Sequence, residues 1–262
     1  MSTSEDRNFD LLHQRFKKNI YASLKGRLRL EVLWRDVQQH IPQLGEGHPW
    51  RILDAGCGMG HFSRRLAGQG HELLLCDISQ QQLAAAEVTL NQPGSMARYI
   101  FRHMPFQELA EGETEPFDLV LCHAVLEWLA DPRQGVAALQ QLVRPGGWLS
   151  LLFFNRHGLE YRHLLNGNFK KLRTGDLAGE GKYLTPDNPL EPSEVRYWLE
   201  AAGLQVVASS GVRTFVDFMH RPTRDKMAFE ELLEMELHYS TLEPYRSLAR
   251  YIHIIARREP TD

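Results

Sequence analysis

A glycine stands at every second position of Gly56-Cys57-Gly58-Met59-Gly60, just after a short apolar run that ends in Asp54-Ala55. Glycines at that spacing permit positive φ and leave no Cβ between backbone and ligand. An open α/β sheet uses such a loop to bring its main chain against a nucleotide cofactor. A second apolar run, Glu72-Leu73-Leu74-Leu75-Cys76, ends in Asp77. An acid closing the second strand of such a sheet can accept hydrogen bonds from both ribose hydroxyls. The two segments together point to an adenosine-containing cofactor and leave the substrate open.

The other candidates for chemistry are cationic. Residues 11–30 carry Arg15, Lys17, Lys18, Lys25, Arg27 and Arg29 with no acid, and residues 156–173 add Arg156, Arg162, Lys170, Lys171 and Arg173 against Glu160. Residues 104–119 are the reverse, with Glu108, Glu111, Glu113, Glu115 and Asp118 and no Lys or Arg. A formal net charge of -3 does not mark the whole chain as a nucleic-acid binder. Two basic segments on the side where a substrate would enter nevertheless fit a polyanionic partner. Cys57, Cys76 and Cys122 have no metal-ligand spacing and lie in or beside expected strands. They read as reduced, buried thiols of a cytoplasmic protein, and no metal is expected. Residues 1–10 lack the apolar core of a signal peptide and no apolar run is long enough to span a bilayer, so no membrane partner is expected.

These residues need a scaffold, and the hydrophobic periodicity supplies one. Residues 8–39 read as helical with a break near Gly26. Strands are expected at Arg51–Ala55, 72–76, 98–102, 117–122 and 148–154. Between them the pattern gives helices at 61–68, 79–92 and 131–142, with Ser79 as N-cap and Pro93-Gly94 as a stop. Strands alternating with helices mean a mostly parallel, doubly wound sheet. The pattern lapses over 155–192, which reads as an insertion. It resumes with a helix at 192–202, a strand at 204–209, a helix at 225–239 and a strand at 251–257. The expected organisation is one domain over 1–262, with a helical lid at 1–45 and a cofactor-binding core at 51–154. A lid insertion at 155–192 follows, then the rest of the core at 193–262 with a helical insertion at 212–250.

The glycine spacing narrows the cofactor. A dinucleotide favours G-x-G-x-x-G, because its pyrophosphate rests on the amides of a helix N-terminus. Alternate glycines with Asp54 two residues before the first suit a cofactor without phosphate, S-adenosyl-L-methionine, whose ammonium an acidic side chain attracts directly or through water. With Asp77 and the turn Leu142-Val143-Arg144-Pro145-Gly146-Gly147, the segment resembles the class I S-adenosylmethionine-dependent methyltransferases. That resemblance implies a Rossmann-like α/β fold with a seven-stranded, mostly parallel sheet and helices on both faces.

A more specific likeness runs along the chain. Arg7-Asn8-Phe9-Asp10, Lys18-Asn19-Ile20-Tyr21, Lys25-Gly26-Arg27-Leu28-Arg29, His123-Ala124-Val125-Leu126-Glu127-Trp128 and Asn155-Arg156-His157-Gly158-Leu159 are not generic to the fold. Neither are Gly211-Val212-Arg213 and Glu243-Pro244-Tyr245. In this order they resemble the bacterial tRNA 5-carboxymethoxyuridine methyltransferase family. The resemblance implies methyl transfer to the carboxylate of a modified wobble uridine, with tRNA bound by its anticodon stem-loop. The family's insertion can carry a dense lysine run, and residues 172–182 here are far less basic.

The resemblance implies cofactor contacts from Arg29, Asp54, Gly56, Cys57 and Gly58 on one side. Asp77, Ile78, Phe106, Gln107 and His123 supply the other. Arg29 is expected on the cofactor's carboxylate, since Arg recognises carboxylates in a planar, bidentate way. Tyr21, Lys25, Arg156 and Arg213 are candidates for substrate contact. No general base is assigned, because a carboxylate with a pKa of about 4 is already ionised at neutral pH. No Asn-Pro-Pro-Tyr-type motif follows the fourth strand, which argues against an amine acceptor. The alternative is a methyltransferase of the same fold acting on a small-molecule carboxylate, hydroxyl or amine.

Overall fold

The computed structural model describes residues 6, 23–112, 115–178, 186 and 188–260. Among them seven strands form one sheet: β1 (Arg51–Ala55), β2 (Glu72–Asp77), β3 (Arg98–His103), β4 (Phe117–His123), β5 (Val143–Phe154), β6 (Leu204–Val212) and β7 (Tyr251–Arg258). The order is β3-β2-β1-β4-β5-β7-β6. β7 runs antiparallel to both its neighbours, and the other pairings are parallel. The carboxyl ends of β1, β2 and β4 therefore meet on one edge, where the order reverses about β1. The amino end of β7 reaches that same edge.

The central strands β1, β2, β4 and β5 are largely apolar on both faces because both are covered. Ile52 of β1 packs with Leu73, Leu75, Leu119 and Leu121 on one side, while Leu53 and Ala55 pack with Leu74, Val120 and Leu149 on the other. Each such Leu or Ile contributes roughly 1.5–3 kcal/mol by leaving water. The first face is closed by α1 (Leu24–His40), through Val32, Leu33 and Val37, and by α2 (Gln80–Leu90), through Leu83, Ala86 and Leu90. The second is closed by α3 (Phe106–Glu111), α4 (Pro132–Leu142) and α7 (Pro192–Ala201), the last following α5 (Arg156–Leu165) and α6 (Phe169–Thr174). Three further helices, α8 (Arg221–Arg224), α9 (Phe229–Tyr239) and α10 (Tyr245–Leu248), lie between β6 and β7.

Several expectations need correction. The chain does not break at Gly26: α1 begins at Leu24 with the Ser23 hydroxyl accepting from the Gly26 amide at 3.1 Å, so this glycine sits in a capped first turn. The part of α1 expected as lid is a core helix, and the start of the expected helix, with Tyr21, lies outside the described residues. The helix expected at 61–68 is a short 3₁₀ turn at Ser63–Leu66, because Gly68 and Gly70 follow at once and leave no room for a regular helix. The segment read as an insertion, 155–192, carries two helices, α5 and α6, and Asn155 bridges to Leu190. The helix expected at 225–239 starts later, as α9 at Phe229 with an extended Ala228 as N-cap, and the short α8 precedes the expected span.

Candidate functional site

A cavity of about 830 Å³, open mouth included, lies on the carboxyl edge. It is lined by Arg29, Gly56, Gly58, Asp77, Ile78, Phe106, Gln107 and His123, all expected from the sequence. It is also lined by Asp6, Gln82, Met104, Pro105, Val125 and Trp128, which were not.

The loop after β1 forms its floor. Gly56 has φ 71°, and a Cβ there would lie 2.5 Å from Val125 Cγ2. Both conformation and space therefore require glycine. The Gly56 and Cys57 amides donate to the Cys76 carbonyl at 2.9 and 3.0 Å, tying the loop to the end of β2. Asp77 completes the tie, since its Oδ2 accepts from the Gly58 amide at 2.8 Å and its Oδ1 from the Ser79 amide at 2.8 Å. One carboxylate thus fixes both the glycine loop and the start of α2, and is itself held in one orientation at the cavity wall.

Two buried amide oxygens at the cavity, Gln82 Oε1 and Gln107 Oε1, accept no hydrogen bond. Leaving such an acceptor unmet costs about 1–3 kcal/mol, so a ligand that brings donors to this wall is favoured. Gln107 is oriented by donating from Nε2 to Asp6 Oδ2 at 3.0 Å, and Asp6 Oδ1 accepts from the Ala130 amide at 2.9 Å. Gln82 lies one turn into α2, and nothing in its sequence context marks it.

On the opposite wall His123 ends β4. Its Nε2 lies 2.9 Å from Ser150 Oγ, which lies 2.8 Å from His253 Nε2, and His253 Nδ1 lies 2.7 Å from Asp36 Oδ2. Arg35 Nε and Ser210 Oγ donate to Asp36 Oδ1 at 2.6 and 3.1 Å. Burial alone would raise the Asp36 pKa, but the hydrogen bond and charge of His253, with Arg35, hold it below the ordinary carboxylate value. Burial, reinforced by His253 and Arg29, pushes His123 well below an ordinary histidine. The ring at the cavity is therefore neutral at neutral pH. Ser150 and His253 each interrupt an apolar run, as in Tyr251-Ile252-His253-Ile254-Ile255, which marks them as buried polar groups but not what they pair with.

Asp54 and Cys57 do not line the main cavity. They face a smaller hollow behind the loop, bounded by Arg29, His61, Phe62 and His123. Asp54 accepts from Ser63 Oγ at 2.6 Å. Burial drives its pKa up to about 7, with Asp77 adding to the effect and Ser63 opposing it. The Cys57 thiol is driven far up by the same burial and is inert.

The four substrate candidates are scattered. Lys25 and Arg213 meet at the buried Asp217, so neither is a plain surface charge. Arg156 is exposed, pairs with Glu160 at 2.9 Å and borders a separate hollow with Asp176, Leu177 and Leu190. Tyr21 lies outside the described residues.

An α/β edge with a glycine floor, an oriented acid, two unmet acceptors and a cation suits a ligand carrying hydroxyls, amine donors and a carboxylate. A methyltransferase domain model matches residues 53–149. The chain is 40% identical to the tRNA 5-carboxymethoxyuridine methyltransferase of Escherichia coli (strain K12), covering 97% of each chain. It is 29% identical to a ubiquinone biosynthesis O-methyltransferase of Burkholderia thailandensis, over 78% of this chain and 83% of that one. Among solved structures, magnesium protoporphyrin IX methyltransferase from Synechocystis PCC 6803 with bound SAH superposes with a TM-score of 0.63 over 96% of each chain. Its sequence identity of 15% makes that likeness one of fold.

Proposed function

The chain belongs to the tRNA 5-carboxymethoxyuridine methyltransferase family, and from this premise we propose that it methylates the carboxylate of 5-carboxymethoxyuridine at the wobble position of tRNA. The methyl donor is S-adenosyl-L-methionine, and the products are 5-methoxycarbonylmethoxyuridine and S-adenosyl-L-homocysteine. The observation that carries the reading is 40% identity maintained over 97% of both chains, including the segments outside the cofactor-binding core.

The residues at the cavity fit the donor. Bound there, S-adenosyl-L-methionine supplies a sulfonium methyl group that an anionic oxygen attacks in line. Asp77 would accept from the ribose hydroxyls, and Gln82 and Gln107 offer acceptors for hydroxyl or amino donors. Arg29 would pair with the carboxylate of the methionine portion, and Asp54, behind the loop, would draw its ammonium. Phe62, Val125 and Trp128 exclude water, which strengthens every charge interaction inside.

An ionised acceptor needs alignment rather than deprotonation. The neutral His123, already committed at Nε2 to Ser150, suits a positioning role beside the methyl donor and not that of a general base.

The tRNA would approach over α5 and α6, where Leu164, Leu165 and Phe169 are exposed beside Arg162, Lys170, Lys171 and Arg173. Exposed apolar side chains among cations suit the anticodon stem-loop, whose splayed bases stack and whose phosphates attract basic residues. The segment after β5 would serve as the lid.

The test is nucleoside mass spectrometry after incubation with labelled methyl donor. Label should enter tRNA bearing 5-carboxymethoxyuridine and spare the same tRNA bearing unmodified uridine. Equal labelling of both would overturn the acceptor. Label entering a small-molecule carboxylate, hydroxyl or amine but neither tRNA would favour the other reading.

A further inference from the structure

The carboxyl edge holds a second polar centre, on the far side of β5 from the glycine loop. Arg213 follows β6 and Arg250 precedes β7, and the Arg250 amide donates to the Arg213 carbonyl at 3.3 Å. Arg213 Nη2 lies 2.6 Å from Asp217 Oδ1, and the Lys25 ammonium closes on the same oxygen. Arg250 is buried, at 8% exposure, with its guanidinium stacked 4.5 Å over the Phe154 ring at the end of β5. Phe154 is two residues beyond Leu152, the partner of His123 in the sheet, so this centre and the cavity share the carboxyl edge.

The charges here do not balance. Lys25, Arg213 and Arg250 face one carboxylate, Asp217, whose Oδ1 takes the hydrogen bonds of both Lys25 and Arg213. A second carboxylate, Glu236, spends its oxygens on the Thr214 amide at 2.8 Å and the Thr214 hydroxyl at 3.2 Å. With both acids ionised, one positive charge is still uncompensated, and Arg162 and Arg224 add to the field. The hydrogen bonds do not balance either. Three buried donors, Arg250 Nε, Arg250 Nη1 and Arg213 Nε, have no acceptor, against one buried acceptor here without a donor, Asp217 Oδ2. Burying a guanidinium without partners is costly, and such groups in folded proteins almost always have a partner, from the chain or from a ligand.

The backbone around them is built to hold this arrangement. Asn155 Nδ2 donates to the Ser247 and Ala249 carbonyls at 2.9 and 2.8 Å, which fixes the turn that delivers Arg250. Gly158 packs on the same turn so closely that a Cβ would lie 2.3 Å from the Ala249 oxygen.

We propose that Arg250 and Arg213 form an oxyanion-binding subsite beside the methyl-transfer cavity, completed by an anionic group of the acceptor. The assignment rests on the tRNA reading above, which offers two oxyanions of this class: the carboxylate to be methylated and a backbone phosphate next to it. Arg250 was not among the residues that the sequence marked.

The experiment compares the full-length protein with Arg250→Met and Arg250→Lys, using tRNA bearing 5-carboxymethoxyuridine and the same tRNA bearing uridine. The subsite predicts that Arg250→Met weakens the modified tRNA by about 10–100-fold, the equivalent of one or two charged hydrogen bonds, with cofactor affinity unchanged. Arg250→Lys should recover part of the loss, since it restores charge but not the planar fork. Weakening confined to the modified tRNA identifies the carboxylate, and equal weakening of both identifies a phosphate. A folded Arg250→Met protein that binds both tRNAs as the wild type does would overturn the subsite. If neither variant folds, the wild type decides: the nucleoside 5-carboxymethoxyuridine and inorganic phosphate are tested as competitors against the nucleoside's methyl ester. One of the two anions should compete at least tenfold better than the neutral ester, and no preference for either overturns the subsite. Absence of any methyl transfer to modified tRNA by the wild type is a separate result, which removes the functional reading before any variant is compared.

Discussion

His253 and Asp36 stand 2.7 Å apart in the interior, and this contact sets the hydrogen-bond direction of a chain that ends at the cavity. An ionised Asp36 can only accept, so His253 Nδ1 donates. Ser150 Oγ then bridges His253 Nε2 and His123 Nε2, and the orientation of its hydroxyl decides which ring nitrogen it donates to. With the His253 ring held by Asp36, one orientation of that hydroxyl, and so one His123 tautomer, is selected. Replacing Asp36 with Asn should release that constraint. Nitrogen-15 chemical shifts of His123 should report one tautomer in the wild type and a mixture in the variant. Denaturant unfolding should show a loss of about 2 kcal/mol, the scale of one buried charged hydrogen bond. A His123 tautomer unchanged in Asp36→Asn would show that Ser150 alone orients the ring.

Asp77 holds two backbone amides, Gly58 and Ser79, and faces the cavity with the same carboxylate. Asp77→Ala should therefore remove ligand acceptors and loosen the glycine loop at once. Calorimetric affinity for S-adenosyl-L-methionine should fall by at least about 30-fold. Titration at wild-type affinity would remove the ribose assignment. Arg29→Met should reduce affinity by about tenfold or more while leaving the affinity for adenosine alone unchanged, because Arg29 serves only the carboxylate end.

Much of this geometry is legible in the sequence. The alternate glycines and Asp77 can be read because their chemistry is local: a loop needing positive φ and an acid at a strand end leave a mark within a few residues. The sheet is legible from its apolar runs, which buried strands require on both faces. Gln82, Asp36, Ser150, His253 and Arg250 are not, because each acquires its role from a partner distant in the chain, as His253 does from Asp36. Arg213 is visible as a cation but not as a buried one, since only the arrival of Asp217 beneath it makes burial tolerable. The 3₁₀ turn at Ser63–Leu66 escapes such a reading because glycine spacing weakens a helix without saying which shorter turn replaces it.

Asp54 carries a pH prediction with a definite sign. Its folded pKa, raised by burial to about 7, lies above the value near 4 expected when unfolded. The folded state thus binds the proton more tightly, so its contribution to stability is complete below pH 4 and declines as pH rises toward 7. Three units correspond to about 4 kcal/mol, and Asp54→Asn should flatten that decline in unfolding measurements between pH 4 and 7. Binding a cationic ammonium should favour the ionised form. Calorimetry near pH 6.5 in buffers of different ionisation enthalpy should then detect proton release on S-adenosyl-L-methionine binding, absent in Asp54→Asn. Buffer-independent heats in the wild type would separate Asp54 from the ammonium.

The basic face of α6 makes the last prediction, which concerns affinity for RNA alone. Lys170, Lys171 and Arg173 occupy a helix of six residues with no buried member, so changing them should leave the core intact. Replacing all three with Gln should lower kcat/KM for tRNA and leave calorimetric affinity for S-adenosyl-L-methionine unchanged. Each phosphate that the variant no longer engages should reduce the slope of log affinity against log salt by about 0.7–0.9. A wild type whose tRNA affinity ignores salt would rule out phosphate binding as the source of affinity. An unchanged slope in the triple variant, with a steep one in the wild type, would move the RNA path away from α6 and toward the cations around Arg250.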